Sequence, residues 1–275
     1  MRLPRPLAWI VGSDHEDSWL ATRVGGWRDR WRPAPLHETT RDGLRFTYGN
    51  RAEFERIYAD IFVNDEYACS PATDAPRILD CGSHIGLSVL YLKRRFPQAQ
   101  VVAFEPNPDA FALLARNVAQ NGLDDVELVN AALAAEDGGI PFEIHRRGVR
   151  GRTWGGSGAP NPWIGWGNYL QVTVPSARLS SWLDHSVDLL KMDIEGMETA
   201  VLAEAASRLG VVRQIILEFH GAQANPDNDL DRLLAILDRA GFAVRIKQGQ
   251  RWVKPATVER TDPFWLTIYA ERDAP

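Results

Sequence analysis

Two glycines and two carboxylates give the sequence its clearest chemical signature. The apolar run at residues 77–81 predicts a buried parallel strand, and Gly82 and Gly86 let the following chain turn tightly, with backbone N–H groups close to a ligand. A second β-rich run, residues 100–104, leads into Glu105. In an open α/β sheet a carboxylate at this place binds both hydroxyls of an adenosine ribose. The spacing therefore predicts a nucleoside site.

The second carboxylate, Asp80, indicates which adenosine compound fits. A dinucleotide fingerprint, G-x-G-x-x-G, uses three glycines to bring a pyrophosphate onto a helix N-terminus, whereas this loop has only Gly82 and Gly86. Asp80 lies two residues before the first glycine, where a carboxylate suits a cationic ligand better than a pyrophosphate. The pattern favours S-adenosylmethionine, with its ammonium and sulfonium groups. The alternative is a plain strand-to-helix turn that Asp80 caps.

Composition and charge argue against several classes of protein. The 275 residues are 45% apolar, which suffices for the core of one α/β domain with additions. A formal net charge of −5 gives no general attraction to nucleic acid, so we expect no nucleic-acid partner. The two cysteines argue against a disulfide framework and favour a cytoplasmic location. The short apolar run at residues 7–11 suits neither a signal peptide nor a membrane-inserted helix.

The order of elements predicts a parallel sheet. Residues 1–70 have an irregular pattern and form an N-terminal extension or cap, whereas from residue 77 strands and helices alternate within a domain that spans residues 71–275. Asn107 and Pro108 are typical of a helix start. The predicted strands cover residues 77–81, 100–104, 126–129, 187–192, 211–219, 242–247 and 264–270, with an extra strand at 140–144. The predicted helices cover residues 85–96, 110–120, 197–209 and 230–240.

Polar residues that follow the predicted strands are candidates for the site, because ligands of such sheets collect at the carboxyl ends of the strands. Asn130 and Ala131 follow the third strand, where Asn130 either contacts the adenine or only forms a turn. Asp193 follows the fourth strand and faces the cofactor's sulfonium in this interpretation. The alternative role of Asp193 and Glu195 is to cap the next helix.

If the predicted S-adenosylmethionine is used to methylate a hydroxyl, a further group must remove the hydroxyl proton. His220 follows the fifth strand, and period-two alternation places it on the same face as Glu218. We consider His220, Asp193 and Glu218 as catalytic residues, and a structural histidine bonded to Glu218 as the alternative. Asp193, Glu195, Glu218 and His220 could also hold a divalent metal ion. No ligand spacing among them is diagnostic, so we expect no metal.

Residues 145–168 form an insertion rich in Gly, Trp and Arg. Glycine and proline interrupt both helical and strand periodicity there, which favours a lid over a regular core element. Arginines suit a phosphate or carboxylate on the acceptor, and tryptophan rings suit the flat face of a sugar. The alternative is an exposed loop or a subunit contact, which leaves a homodimer open. The residues predicted to bind the acceptor are Arg150, Arg152, Trp154, Trp163 and Trp166.

Four segments together resemble the FkbM family of S-adenosylmethionine-dependent methyltransferases, namely residues 79–86, 103–106, 190–198 and 216–219. The likeness covers about residues 54–220. Its most specific part is the K-x-D-x-E-G-x-E pattern that begins at Lys191, whereas the first two segments occur widely among class I methyltransferases. The chain departs from the family in having Cys81-Gly82-Ser83-His84 where a Gly-Ala-Asn sequence is commoner.

The resemblance implies a Rossmann-like class I methyltransferase sheet of seven strands in the order 3-2-1-4-5-7-6, with strand 7 antiparallel. It implies S-adenosylmethionine as the cofactor, bound by the glycine loop that includes Ser83 and covered by Tyr67. It also implies an O-methyltransferase that acts on a sugar or natural-product hydroxyl. Two other classes stay open. A nicotinamide-dependent oxidoreductase should have the third glycine, and a non-catalytic cofactor-binding scaffold should lack the polar residues at the strand ends.

Overall fold

The computed structural model describes residues 35–145, 153, 155–160 and 169–272. The strands among these residues are β1 (His37–Arg41), β2 (Leu44–Tyr48), β3 (Arg77–Cys81), β4 (Gln100–Phe104), β5 (Val126–Val129), β6 (Ala132–Leu133), β7 (Gly138–His145), β8 (Tyr169–Ala177), β9 (Val187–Met192), β10 (Val212–Gly221), β11 (Ala243–Gln248), β12 (Arg251–Val253) and β13 (Phe264–Glu271). The α-helices are α1 (Arg51–Tyr58), α2 (Leu87–Arg95), α3 (Pro108–Gln120), α4 (Glu198–Ala205) and α5 (Leu230–Arg239). None of the described helices has both the length and the apolar character needed to cross a bilayer.

Eight strands form the central sheet, in the order β12-β11-β13-β10-β9-β3-β4-β5. The five strands from β10 to β5 in this order pair in parallel, whereas β13 is antiparallel to both β10 and β11. Because β3, β4, β5, β9, β10, β11 and β13 are the seven predicted strands in chain order, the predicted order 3-2-1-4-5-7-6 is confirmed, including the antiparallel seventh strand. The structure adds β12 as an edge strand that was not predicted.

Both faces of the sheet are buried, and successive strand residues alternate between two apolar layers. On one face, Leu79, Leu190 and Leu217 pack in a cluster with residues of α4 and α5. On the other face, Ile78 and Ile216 pack in a cluster with residues of α2, α3 and the N-terminal elements. This double burial explains why the central strands read as continuous apolar runs in the sequence.

The expectation that the first 70 residues are irregular is wrong for residues 37–63. They form the antiparallel hairpin of β1 and β2, helix α1, and a π-helical turn, Ala59–Val63. The hairpin is tied to α3, since Asn117 accepts a hydrogen bond from the Thr47 N–H (2.7 Å) and donates to the Thr47 carbonyl (3.0 Å). The boundary at residue 70 stays a prediction, although Phe46 and Phe54 share an apolar cluster with the central sheet.

A small second sheet carries the predicted insertion. It has the order β6-β8-β7, and β7 and β8 pair as an antiparallel hairpin. Gly138 lies opposite Ser176 at one end of this pairing, and His145 lies opposite Tyr169 at the other. The strand predicted at residues 140–144 is therefore β7, and most of the insertion connects β7 to β8. The predicted acceptor residues all lie outside the described part of the chain: Arg150, Arg152, Trp154, Trp163 and Trp166.

We predict that Asn117→Ala lowers the free energy of unfolding by about 2–4 kcal/mol, because it leaves the buried Thr47 and Ile85 backbone groups without hydrogen bonds. The matched control is Asn121→Ala, at the residue that follows α3, whose bonds to the Arg45 backbone lie at the surface, where water replaces them. It should cost about 1 kcal/mol or less. Urea unfolding of both variants measures the difference, and equal losses would contradict the buried role of Asn117.

Candidate functional site

Two adjoining cavities open at the carboxyl ends of β3, β4, β9 and β10. The larger has a volume of about 230 Å³ and is bordered by Tyr67, Ser83 and Glu218. The smaller has a volume of about 60 Å³ and is bordered by Glu105 and Ala131. Both cavities share Gly82, His84 and Asp193. An elongated ligand could therefore lie across the two cavities, past the loop that follows β3.

That loop is fixed by close backbone contacts around Gly82. The residue has φ +83°, and a Cβ atom placed there would lie 1.7 Å from the carbonyl oxygen of Asp193. The Gly82 and Ser83 N–H groups both donate to the Phe104 carbonyl, at 3.0 and 2.9 Å. The loop is thus held between the ends of β4 and β9, and only glycine allows this approach.

Glu105 directly follows β4 and is 7% exposed. Its two carboxylate oxygens accept hydrogen bonds from the His84 N–H and the Asn107 N–H, both at 2.8 Å. Burial raises the pKa of Glu105 to about 7, against the lowering effect of these two N–H donors. The Asn130 side-chain amide donates to the Glu105 carbonyl at 2.8 Å. Asn130 borders neither cavity.

Asp80 faces a lysine of the chain itself and borders neither cavity. The Lys191 ammonium, on a side chain that is 2% exposed, lies 3.3 Å from Asp80 Oδ1 and donates to the Gly82 carbonyl at 2.6 Å. Burial lowers the pKa of Lys191, but Asp80 and Asp193 outweigh it, so the pKa lies above its ordinary value. The cation next to Asp80 in this geometry is thus Lys191, which itself borders the larger cavity.

The larger cavity contains a tyrosine bonded to a glutamate. The Tyr67 hydroxyl donates to Glu218 Oε1 at 2.9 Å, and Lys191 Nζ lies 5.2 Å from the centre of the Tyr67 ring. Burial raises the pKa of Glu218 to about 8, with further contributions from Asp193 and Glu66. Burial also raises the pKa of Tyr67 well above its ordinary value. A carboxyl group with a raised pKa at the cavity wall is suited to exchange a proton with a ligand.

His220 lies behind this wall, among carboxylates of α4 and of the loop between β9 and α4. Its Nδ1 is 3.1 Å from Glu198 Oε1, and its Nε2 is 3.7 Å from Glu195 Oε2 and 4.0 Å from Asp193 Oδ1. Burial lowers the pKa of His220, but these carboxylates outweigh it and raise the pKa well above its ordinary value. The ring borders neither cavity and favours its protonated form, which argues against the predicted role as general base. The partner in the structural alternative is Glu198 instead of Glu218.

Three of the four residues considered as metal ligands come together. Donor atoms of Asp193, Glu195 and His220 all lie within 4.8 Å of one another. Glu218 is not in this group, and its carboxylate accepts a hydrogen bond from Tyr67.

Comparison with known proteins identifies the family of this chain. A sequence model of the FkbM methyltransferase domain matches residues 80–244, more than half of the chain. The chain belongs to this family. The methyltransferase sdnD of Sordaria araneosa is 28% identical to this FkbM protein. The match covers 74% of this chain and 87% of the sdnD chain. The 2-O-methyltransferase NoeI of Sinorhizobium fredii is also 28% identical, over 52% of this chain and 63% of its own. A solved FkbM methyltransferase from Methylobacillus flagellatus is 16% identical, with a TM-score of 0.48, and covers 78% of this chain and 47% of its own.

Sequence reasoning missed two contacts in this FkbM methyltransferase. His84 has φ +50° and borders both cavities, and its Nε2 lies 2.7 Å from the hydroxyl oxygen of Thr153 in the insertion. Thr153 also accepts a hydrogen bond from the Asn107 side chain at 3.2 Å. The insertion thus contacts the two residues whose N–H groups hold Glu105. A signal for Thr153 is not apparent, since it lies in an irregular segment.

We predict that Gly82→Ala lowers the free energy of unfolding by about 3 kcal/mol or more, because the methyl group meets the Asp193 carbonyl and the backbone is left-handed. Gly43→Ala is the matched control, since Gly43 has nearly the same φ, +79°, with no atom within 4 Å of the added Cβ. That variant should lose only about 1–2 kcal/mol. Similar losses in thermal and urea unfolding would show that conformational strain alone, and not the contact with β9, constrains Gly82.

Proposed function

We propose that this FkbM methyltransferase transfers a methyl group from S-adenosylmethionine to a hydroxyl of a sugar or natural-product acceptor. The observation that carries the proposal is the buried Glu105 carboxylate at the border of the smaller cavity, where two backbone N–H groups fix its orientation. One relative, NoeI, is a 2-O-methyltransferase by name, which supports oxygen as the methylated atom. The two-glycine loop supports a nucleoside over a dinucleotide.

The residues around the smaller cavity fit an adenosine group. Glu105 would accept hydrogen bonds from both ribose hydroxyls, and Ala131 would contact the base. Asn130 would support this end of the site through the Glu105 carbonyl. The methionine end of the cofactor would extend past Gly82 and Ser83 toward Asp193, with Tyr67 over it. When bound, S-adenosylmethionine supplies a methyl group on a sulfonium, which is already activated for displacement, so the protein's main tasks are alignment and exclusion of water.

Glu218 is the residue that we assign to removal of the hydroxyl proton. Its carboxylate borders the larger cavity, next to the shared residue Asp193, and the Tyr67 hydroxyl fixes one of its oxygens at 2.9 Å. Asp193 would orient the reacting groups from the point where the cavities meet. His220 would act through Asp193 and Glu195, since it lies behind them.

The insertion is the proposed acceptor-binding segment, and Thr153 supports this assignment by placing part of it against His84 and Asn107. Binding of the acceptor by the insertion stays a prediction for the five residues outside the described chain: Arg150, Arg152, Trp154, Trp163 and Trp166. A cytoplasmic location and a homodimer stay predictions as well. Both cysteines, Cys69 and Cys81, are buried and free, in line with a reducing compartment.

We predict that S-adenosylmethionine binds about tenfold more tightly at pH 8 than at pH 6. Ribose hydroxyls bond best to an ionised carboxylate, so binding lowers the pKa of Glu105, which is about 7 without ligand. Below that pH, binding must release the proton from Glu105, and by linkage the affinity falls as the pH falls. Isothermal titration at the two pH values measures the ratio.

The control for this titration is Glu105→Gln, which keeps the shape of the side chain without the charge. It should bind the cofactor weakly, and the remaining pH dependence reports the titration of the other groups in the complex, Glu218 and the cofactor itself among them. If the wild type and Glu105→Gln bind with the same affinity and pH profile, Glu105 does not bind the ribose.

We predict that Glu218→Gln lowers kcat by about a hundredfold or more, the usual contribution of a general base, with little change in cofactor affinity. The rate can be followed as transfer of a tritiated methyl group into a crude mixture of hydroxylated metabolites, which needs no purified acceptor. Glu66→Gln changes another carboxyl group of the same cavity, one that accepts a hydrogen bond from Thr267 at 2.9 Å, and should cost much less. Near-normal turnover by Glu218→Gln would exclude this carboxylate as the base.

A further inference from the structure

The carboxylates around His220 Nε2 stand at distances that a hydrogen bond does not explain. Glu195 Oε2 lies 3.7 Å from Nε2, and Asp193 Oδ1 lies 4.0 Å from it. A charge-assisted N–H···O bond is usually about 2.7–2.9 Å long. Two ligands of one metal ion, each about 2.0–2.2 Å from it, can be up to about 4 Å apart. The two distances from Nε2 are therefore compatible with one ion bound between these groups.

The tautomer of His220 follows from the residue behind it. Glu198 accepts hydrogen bonds from the Gly196 N–H (3.0 Å) and the Asn228 side-chain amide (2.6 Å), and it is completely buried. A carboxylate with these partners is an acceptor for His220 Nδ1, at 3.1 Å, so Nδ1 carries a proton. The Nε2 atom then points toward Asp193 and Glu195. A histidine held from behind by a carboxylate in this way is typical of metal sites.

Asp193 gives an independent observation, because its two carboxylate oxygens face different neighbours. Oδ2 lies 4.0 Å from the Lys191 ammonium, whereas Oδ1 faces His220. Oδ1 is buried from solvent and has no hydrogen-bond partner among the described residues. A buried carboxylate oxygen without a partner costs stability unless a cation or a donor occupies the adjacent space.

We propose that Asp193, Glu195 and His220 bind one divalent transition-metal ion. One imidazole nitrogen and two carboxylate oxygens suit Mn²⁺, Fe²⁺ or Zn²⁺ better than Ca²⁺ or Mg²⁺, which prefer oxygen ligands alone. Three protein ligands leave at least one coordination position open. The site needs neither S-adenosylmethionine nor an acceptor, so it is independent of the proposed function.

The position of this site connects it with the two cavities. Asp193 borders both cavities, and Glu195 borders the smaller one. An ion bound by them would lie where the two cavities meet, on the side of the smaller one. Charged groups near the site, among the described residues, include Glu198 behind His220, Glu218, and the Lys191 ammonium beyond Asp193 Oδ2.

Mn²⁺ binding to the full chain, without S-adenosylmethionine, tests the proposal. The electron paramagnetic resonance signal of free Mn²⁺ should decrease with a stoichiometry of one ion per chain, and Zn²⁺ should displace the ion. Asp193→Asn, Glu195→Gln and His220→Gln are close in shape to the native residues and should each weaken Mn²⁺ binding at least about tenfold. Glu198→Gln should weaken it by about 10–100-fold, as expected for a residue that orients a ligand.

His185→Gln is the matched control. His185 also lies near a carboxylate, 3.5 Å from Asp184, but it is exposed and precedes β9, whereas the proposed site follows that strand. This variant should bind Mn²⁺ as the wild type does. A measurement on the wild type avoids any loss of folding in the variants, since bound Mn²⁺ should broaden the NMR signals of the His220 ring and leave those of His185 sharp.

The proposal is overturned if neither Mn²⁺ nor Zn²⁺ binds stoichiometrically, or if the broadening does not reach His220. Binding that is unchanged in folded Asp193→Asn and His220→Gln would also overturn it. A proton on Nε2 would then be the cation that balances these carboxylates. A chain that binds Mn²⁺ but not S-adenosylmethionine would keep this site and contradict the proposed function.

Discussion

The buried ammonium of Lys191 is the interaction on which the site depends. It lies against Asp80 of the neighbouring strand, donates to the Gly82 carbonyl and faces the Tyr67 ring. These contacts join β3, β9, the glycine loop and the segment that contains Tyr67 around one charge. Removing one partner of such a buried pair usually costs about 3–5 kcal/mol, because the other charge stays buried without compensation. Lys191 therefore fixes the glycine loop, which lies between the two cavities and borders both of them.

Much of the fold followed from the sequence, because apolar runs and helix caps act locally. Strands β3, β4, β5 and β9 have the predicted bounds, and Asn107 caps α3 as expected, accepting from the Asp109 N–H at 3.0 Å. The β1–β2 hairpin was overlooked although its signal is present. Asp42-Gly43 is a typical two-residue hairpin turn, and both residues have positive φ, 53° and 79°. The edge strand β12 has only three residues, too short for a periodic pattern.

The site was harder to predict, because its contacts join residues that are far apart in the sequence. The position of Glu105 followed from the end of a strand, and its placement at a cavity agrees with that reasoning. The neighbour of Asp80 could not be predicted from the local sequence, because the pairing of β3 with β9 places Lys191 opposite it. Period-two alternation associated His220 with Glu218, but α4 brings Glu198 to the imidazole instead. Such competition between partners depends on how a helix packs on the sheet, which no local pattern encodes.

The most direct test of methyl transfer to oxygen uses S-adenosylmethionine with a deuterated methyl group. The full chain is incubated with it in an extract of the cells that make the protein, and mass spectrometry finds the labelled products. The account predicts a sugar or natural product that carries the deuterated methyl group on an oxygen, and none with Glu105→Ala. A label found on nitrogen or carbon, or one that stays entirely in the cofactor, would contradict it.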